Sequence, residues 1–141
     1  MKPLFVSRNR DTAALATTLA RLGRTSLPII LEGETGAGKT FIAAAIHRCS
    51  RPGTPQVLVD CGAIPETLLA AELFGHRAGA FTDATRAREG WLARGADGTV
   101  VFERIDSLSL GGQVALLRVL EERVFVPVGG GASRRIDARV L

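Results

Sequence analysis

The segment Gly33-Glu-Thr-Gly-Ala-Gly-Lys39-Thr40 constrains this chain more than any other. It fits the pattern G-x-x-x-x-G-K-[ST] in full and follows a short apolar run, Leu27–Leu31, typical of a buried parallel strand. A helix is predicted directly after it, over residues 40–49. Glycines let backbone N–H groups converge on an anion without obstruction by Cβ atoms, and the helix N-terminus adds partial positive charge. The segment therefore predicts a phosphate-binding loop between a strand and a helix.

The residue types in this loop match the needs of a nucleoside triphosphate and its metal ion. Lys39 supplies a mobile charge for the β- and γ-phosphates, and the Thr40 hydroxyl is a ligand for Mg²⁺. Hydrolysis also needs an acidic residue at the end of a neighbouring strand, and Thr99–Phe102 predicts a strand that leads into Glu103. We predict Thr40 and Glu103 as the Mg²⁺ ligands. The predicted nucleotide-binding residues are Gly33, Glu34, Thr35, Gly36, Ala37, Gly38, Lys39, Thr40 and Glu103.

The rest of the chain alternates between predicted strands and helices, which favours an α/β fold with a mostly parallel sheet flanked by helices. Val114, Leu117 and Leu120 define the apolar face of the last predicted helix. The predicted helices cover residues 11–22, 40–49, 65–73 and 112–123; strands cover 27–31, 56–59 and 99–102; residues 74–90 form a loop or insertion; and a hairpin spans residues 124–136.

Composition excludes several classes of protein. With 141 residues, 46% hydrophobic and 23% charged, the chain is a globular domain and not a disordered segment. It has no signal-peptide core and no apolar run near the ~18–20 residues of a membrane span. Cys49 and Cys61 fit no metal template, so both are expected to be buried thiols in a reducing cytoplasm. The net charge of +4 is spread along the chain and favours a solvated surface or a partner contact over a DNA-reading groove.

Four segments in order resemble the AAA+ ATPase domain of bacterial enhancer-binding proteins, the sigma-54-dependent transcription activators. They are Ile29–Lys39, Val57–Leu69, Glu72–Ala84 and Gln113–Gly130, and the resemblance covers roughly residues 4–141. It implies a P-loop NTPase (AAA+) fold, with residues 1–141 forming a partial sigma-54 interaction domain. Residues 74–90 would be the insertion loop of that domain. The chain is expected to stop before the family's sensor segment, arginine fingers and helical lid.

The resemblance also implies cofactors and partners. ATP and Mg²⁺ would bind at residues 33–40 with Glu103, and the full-length protein would form a ring homo-oligomer in the cytoplasm. Phe81 and Thr82, within Gly79-Ala-Phe-Thr-Asp-Ala84, would contact sigma-54 RNA polymerase. An exposed aromatic ring on a glycine-flanked loop suits a partner anchor. DNA would be bound only through domains that this chain lacks, and no membrane contact is expected.

Three residues depart from the family pattern. Asp83 stands where glycine is usual in the insertion, and Asp60 stands where asparagine is usual at the end of a strand. The third is Arg104, which stands where the family has its catalytic glutamate. Because arginine stays protonated in proteins, it cannot act as a base. Very slow or no hydrolysis is therefore predicted, and we assign no catalytic residue. Asp60 and Arg104 lie at the ends of strands expected to be adjacent, so we also predict an ion pair between them.

Two alternatives from other classes stay open. A regulatory subunit that binds nucleotide without hydrolysing it is favoured by Arg104, whereas a P-loop kinase would need an acceptor site and a phosphate-binding lid that the sequence does not indicate. Three further residues have structural interpretations. His47 is expected to pack or lie at the surface, His76 to organise the insertion, and Trp91 to anchor the end of the insertion against the core.

Overall fold

The computed structural model describes Arg8 and residues 10–141 of the chain. Helices and strands alternate along this part, as the sequence predicts for an α/β fold. The helices within it are α1 (Arg10–Leu22), α2 (Lys39–Ser50), α3 (Glu66–Phe74), α4 (Trp91–Arg94) and α5 (Leu110–Glu122). The strands within it are β1 (Gln56–Asp60), β2 (Gly75–His76), β3 (Arg88–Glu89), β4 (Thr99–Glu103), β5 (Val124–Phe125), β6 (Arg134–Arg135) and β7 (Arg139–Val140).

Strand β4 is the centre of a three-stranded parallel sheet with the order β1–β4–β7. Its residues 99–102 are all buried, because helices cover both faces of the sheet. Thr99 faces α2, where the Nδ1 atom of His47 lies 2.8 Å from its hydroxyl oxygen. The next residue, Val100, points the other way, into an apolar core shared with α3, α4 and α5. Burial lowers the pKa of His47, so its imidazole is a neutral packed group, as predicted.

The register of β1 against β4 decides which residues lie side by side at the carboxyl ends of these strands. Gln56 lies opposite Thr99, and the pairing continues to Asp60 opposite Glu103. Because the strands are parallel, their carboxyl ends lie side by side. Asp60, Glu103 and the following residue, Arg104, are therefore neighbours.

The sequence predicts a buried strand over residues 27–31, and the prediction is wrong about burial. The Ile29 N–H donates to the Val140 carbonyl at 3.1 Å, so the segment runs beside β7, but no regular strand is assigned to it. Leu27 is 60% exposed and Ile30 is 71% exposed. Within the described residues, the segment therefore runs along the β7 side of the sheet with these two side chains largely exposed.

Two further expectations about burial are also wrong. In α5, Val114 and Leu117 are exposed, whereas Leu120 packs against the core as expected, beside the buried Leu116 and Val119. The helix is apolar around much of its circumference, so its sequence alone does not indicate which side faces the sheet. Cys61 is buried as expected, but Cys49 lies exposed near the end of α2.

The insertion between α3 and α4 has a narrow neck. Strands β2 and β3 pair antiparallel there, and a Cβ atom placed on Gly90 would lie 2.2 Å from the Gly75 nitrogen. Trp91 follows directly and packs against the core, as predicted.

The predicted hairpin is also present, since β5 and β6 pair antiparallel on either side of a turn at residues 129–131. Within the described residues, no helix is long and apolar enough to cross a membrane.

Gly98 lies directly before β4, where a larger residue is expected to destabilise the fold. A Cβ atom at this position would lie 1.9 Å from the Pro55 carbonyl oxygen, which accepts the hydrogen bond that opens the β1–β4 pairing. Gly98→Ala is therefore expected to lower the free energy of unfolding by about 1–3 kcal/mol or more. The control, Gly111→Ala in the first turn of α5, meets only the Ser109 hydroxyl at 4.0 Å and should be neutral or stabilising. Urea denaturation monitored by circular dichroism measures both, and equal midpoints would contradict the packing argument.

Candidate functional site

The glycine-rich loop lies between the segment 27–31 and the first residue of α2. Gly36 and Gly38 adopt φ values of +85° and +87°, a left-handed conformation that favours glycine. Nothing lies within 4 Å of a Cβ atom placed on either residue, so the space in front of the loop is open. Gly38 caps α2 without any side-chain hydrogen bond to the first helical turn. A helix N-terminus without a side-chain cap favours an anion, so the loop and the start of α2 together suit a phosphate group.

Lys39 lies folded over its own loop. Its Nζ atom donates to the carbonyl oxygens of Gly33 at 2.6 Å and Glu34 at 2.7 Å. Both acceptors are neutral, so the ammonium charge is held at the loop without being neutralised. The remaining predicted loop residues, Thr35 and Ala37, are exposed in the same turn.

Thr40 and Glu103, the two predicted metal ligands, are in direct contact. The Thr40 hydroxyl donates to the Glu103 Oε1 atom at 2.5 Å, across 63 positions of sequence. This bond connects the first turn of α2 to the carboxyl end of β4. Hydroxyl and carboxylate oxygens are the donors that Mg²⁺ accepts, and Mg²⁺ usually takes its other ligands from phosphates and water. The residues present therefore fit a magnesium ion bound together with a nucleotide.

The predicted Asp60–Arg104 ion pair is confirmed. The Arg104 Nε atom donates to Asp60 Oδ1 at 2.9 Å, and its Nη2 atom donates to the same oxygen. The N–H of Gly62 donates to that oxygen as well, at 3.1 Å. Both side chains of the pair are about half exposed, so solvent screens their attraction.

Two features of this pair were not predicted from the sequence. Arg104 adopts the left-handed conformation, with φ 53° and ψ 47°, which is uncommon for a residue other than glycine. Gly62 makes room for the guanidinium, because a Cβ atom there would lie 2.6 Å from the Arg104 Cζ atom. A glycine two residues after the strand end was the available signal, but only the fold shows that the Arg104 guanidinium lies against it.

Charge and burial set the protonation of the groups around the pair. The hydrogen bond from Arg104 is the largest cause that lowers the pKa of Asp60, and the Asp60 carboxylate in turn raises the pKa of Arg104. Asp60 is therefore a carboxylate and Arg104 a cation at neutral pH. Burial raises the pKa of the neighbouring Cys61 thiol to about 11, which fits a packing role for this residue.

The insertion loop folds back on its own base. The Phe81 ring lies 4.9 Å from the His76 ring and is 38% exposed, and His76 also approaches the Arg77 carbonyl. His76 therefore organises the loop, as predicted. Thr82 and Asp83 are exposed beside it. Sequence reasoning missed Gly129, where an added Cβ atom would lie 2.8 Å from the Ala80 Cβ atom, so that the turn at residues 129–131 closely supports the loop.

The ion pair generates a titration prediction. Because the folded-state pKa of Asp60 is lowered, the pair stabilises the fold above the ordinary aspartate pKa and loses this effect as pH falls through the lowered value. Arg104→Ala should return the pKa of Asp60 towards its ordinary value, which carboxyl ¹³C NMR titration measures. Arg118→Ala, which breaks a separate surface ion pair with Glu122, should leave it unchanged. An Asp60 pKa that is the same in both variants would contradict the assignment.

Known proteins are similar to this chain in sequence and in fold. Residues 5–141 match the family model described as the Sigma-54 interaction domain. The chain is 40% identical over 128 residues to the C4-dicarboxylate transport transcriptional regulatory protein DctD of Rhizobium meliloti (strain 1021), which covers 90% of the chain and 28% of DctD. It is 43% identical over 137 residues to the Sigma54-dependent transcriptional regulator SfnR of Pseudomonas fluorescens (strain Pf0-1), which covers 96% of the chain and 37% of SfnR.

A solved structure is also similar to this chain. NtrX from Brucella abortus in complex with ATP matches with a TM-score of 0.81 and 29% sequence identity, over 96% of this chain and 30% of NtrX. The chain thus spans well under half the length of each of these relatives. We conclude from the family match over residues 5–141, from the loop–helix geometry and from the parallel sheet that the chain belongs to the Sigma-54 interaction domain family and has the AAA+ fold.

Proposed function

We propose that this domain binds ATP with Mg²⁺ at the glycine-rich loop, as part of a sigma-54-dependent transcriptional activator. The observation that carries the proposal is the Thr40–Glu103 contact beneath an open loop that ends in a helix without a side-chain cap. The similarity to NtrX, which was solved with ATP, supports the choice of nucleotide.

Each residue of the loop has a defined role in this proposal. The backbone N–H groups of Gly33, Glu34, Thr35, Gly36 and Gly38 surround the phosphates, and the Ala37 N–H exchanges its bond to the Glu34 carbonyl for a phosphate oxygen. Lys39 exchanges its two carbonyl acceptors for phosphate oxygens, which carry the negative charge that carbonyls lack. Thr40 and Glu103 hold the Mg²⁺, which neutralises phosphate charge when it is bound.

We propose further that hydrolysis is very slow, because the residue after Glu103 is Arg104. Its guanidinium carries only donors and cannot accept a proton from water. Another carboxylate at this edge of the sheet, Asp60, has its Oδ1 atom engaged by Arg104 and by the Gly62 N–H. Loss of a general base costs about 10²- to 10⁴-fold in rate.

The same ion pair supports a second candidate function. A domain that binds ATP but does not hydrolyse it would act as a regulatory subunit within a ring of active homologues. The ring assembly is itself part of the proposal, as is DNA binding through other domains. Turnover measured after mixing with an active homologue separates a silent regulatory subunit from a slow enzyme.

The hydrolysis proposal is tested by restoring the missing group. In the full-length protein, the double variant Asp60→Asn/Arg104→Glu should release phosphate from ATP at least tenfold faster than the wild type, because it gains a carboxylate that no arginine neutralises. Asp60→Asn/Arg104→Gln is the matched control, since it removes the same ion pair without adding a base, and it should show no such gain. Binding of a fluorescent ATP analogue reports whether each variant still holds nucleotide.

Two results would contradict this reading of Arg104. One is rapid turnover by the wild type that Lys39→Ala abolishes. The other is a double variant that binds ATP like the wild type and gains no turnover. Failure of wild type and variants alike to bind ATP, with Lys39→Ala no different, would instead contradict the nucleotide site itself.

We also propose that the insertion loop contacts sigma-54 through Phe81 and Thr82. Phe81 presents a partly exposed ring on a loop supported by His76, an arrangement that suits an aromatic anchor. The neighbouring Asp83 adds negative charge to this surface. The proposed contact therefore differs in charge from that of family members with glycine at this position.

Substitution of the anchor tests the loop contact. Phe81→Ala in the full-length protein, loaded with a non-hydrolysable ATP analogue, should weaken sigma-54 binding at least about tenfold, as loss of a central aromatic anchor does. Leu68→Ala removes a similarly exposed apolar side chain from α3, where we propose no contact, and should leave the affinity unchanged. Surface plasmon resonance measures both variants, and equal affinities would refute the contact.

A further inference from the structure

A cavity of about 420 Å³ lies at the end of the sheet opposite the glycine-rich loop. It is formed by the segment after α1, the last residues of α2 and Arg139 at the start of β7. Arg139 pairs with Thr99, the first residue of β4, whereas the glycine-rich loop meets β4 at its last residue, Glu103. The cavity is therefore separate from the proposed nucleotide site.

The lining of this cavity is strongly basic. Arg24, Arg51 and Arg139 line it, and no aspartate or glutamate is among its described lining residues. None of the three arginines takes part in an ion pair found within the described part of the chain. Arg51 donates instead to two backbone carbonyl oxygens, those of Asp97 at 3.1 Å and Asp137 at 2.7 Å.

Arg139 is the most unusual of the three. Its side chain is fully buried, with a relative exposure of 2%. Its Nη atoms donate to backbone carbonyls at and after the end of α1, and its buried Nε atom has no partner among the described residues. Carbonyl oxygens satisfy hydrogen bonds but do not neutralise a formal charge. Burial, and then the nearby Arg51, lower the pKa of Arg139, which reflects the excess of positive charge here.

The ends of two helices offset this charge only in part. The C-termini of α1 and α2 both border the cavity, and each carries a partial charge of about −0.5. Together they oppose about one of the three formal positive charges. An uncompensated cation in a buried position is costly, and a bound anion would remove that cost.

We propose that this cavity, which we term the arginine cavity, binds a small phosphate-bearing anion, either inorganic phosphate or a phosphomonoester. Guanidinium groups match the oxygens of phosphate with paired, directional donors. The volume lies within the range of about 300–1,000 Å³ that is usual for small-ligand sites. A bound anion would connect α2 and β7 to the segment that leads into the glycine-rich loop, and so would stabilise the fold.

The test uses the full-length protein in a Lys39→Ala background, so that phosphate binding at the glycine-rich loop is weakened. Melting temperature is measured against the concentration of inorganic phosphate, and separately of glycerol 3-phosphate, with chloride holding the ionic strength constant. We expect a saturable rise in melting temperature. Saturation by both probes would identify a phosphomonoester site, and saturation by phosphate alone would identify an inorganic phosphate site.

Matched variants locate the effect. Arg24→Gln removes an exposed cation of the cavity and Arg51→Gln a partly buried one, and each should raise the half-saturating phosphate concentration at least tenfold. Arg48→Gln removes an exposed cation from the last turn of α2, outside the cavity, and should leave that concentration unchanged. A phosphate effect equal in all three variants, or no saturation beyond the effect of chloride, would overturn the proposal. Because Arg24 makes no side-chain hydrogen bond or ion pair found within the described residues, its variant also answers the question if Arg51→Gln fails to fold.

Discussion

The parallel pairing of β1 with β4 is the constraint on which the rest of the structure depends. Its register fixes Asp60 opposite Glu103, and it therefore decides which charges meet beside the glycine-rich loop. Helices on both faces bury β4 as far as Phe102, so Glu103 is its first residue with a partly exposed side chain. Thr40 reaches this residue because α2 packs across the same strand. A slip of one residue would turn Glu103 to the opposite face and end the contact.

The parts of the site that the sequence predicts are those determined locally. The glycine-rich loop is such a case, since its spacing, the start of the following helix and its two key side chains all lie within the eight residues 33–40. The Asp60–Arg104 pair was predictable for a different reason: the family resemblance implies that the two strands are neighbours, and the carboxyl ends of neighbouring parallel strands lie side by side. The left-handed backbone of Arg104 and the space above Gly62 depend on the assembled turn and have no sequence pattern of their own.

The expectations about burial failed where a segment is apolar on more than one side. Val114 and Leu116 both lie on α5, and only the position of the core decides which of them is covered. Leu27 and Ile30 form an apolar run that is typical of a buried strand, yet both side chains are largely exposed. Hydrophobicity along the chain therefore predicts the type of element well, and its partners poorly.

Lys39 has a consequence beyond phosphate binding. The chain has 18 basic residues, of which only Lys2 and Lys39 are lysines. In this structure the Lys39 ammonium is held by two backbone carbonyls. Reductive methylation with ¹³C-formaldehyde would thus add NMR labels to very few amines of this domain. One of those signals would come from the loop itself, and its chemical shift would report directly whether the loop is closed on its own backbone or holds a ligand.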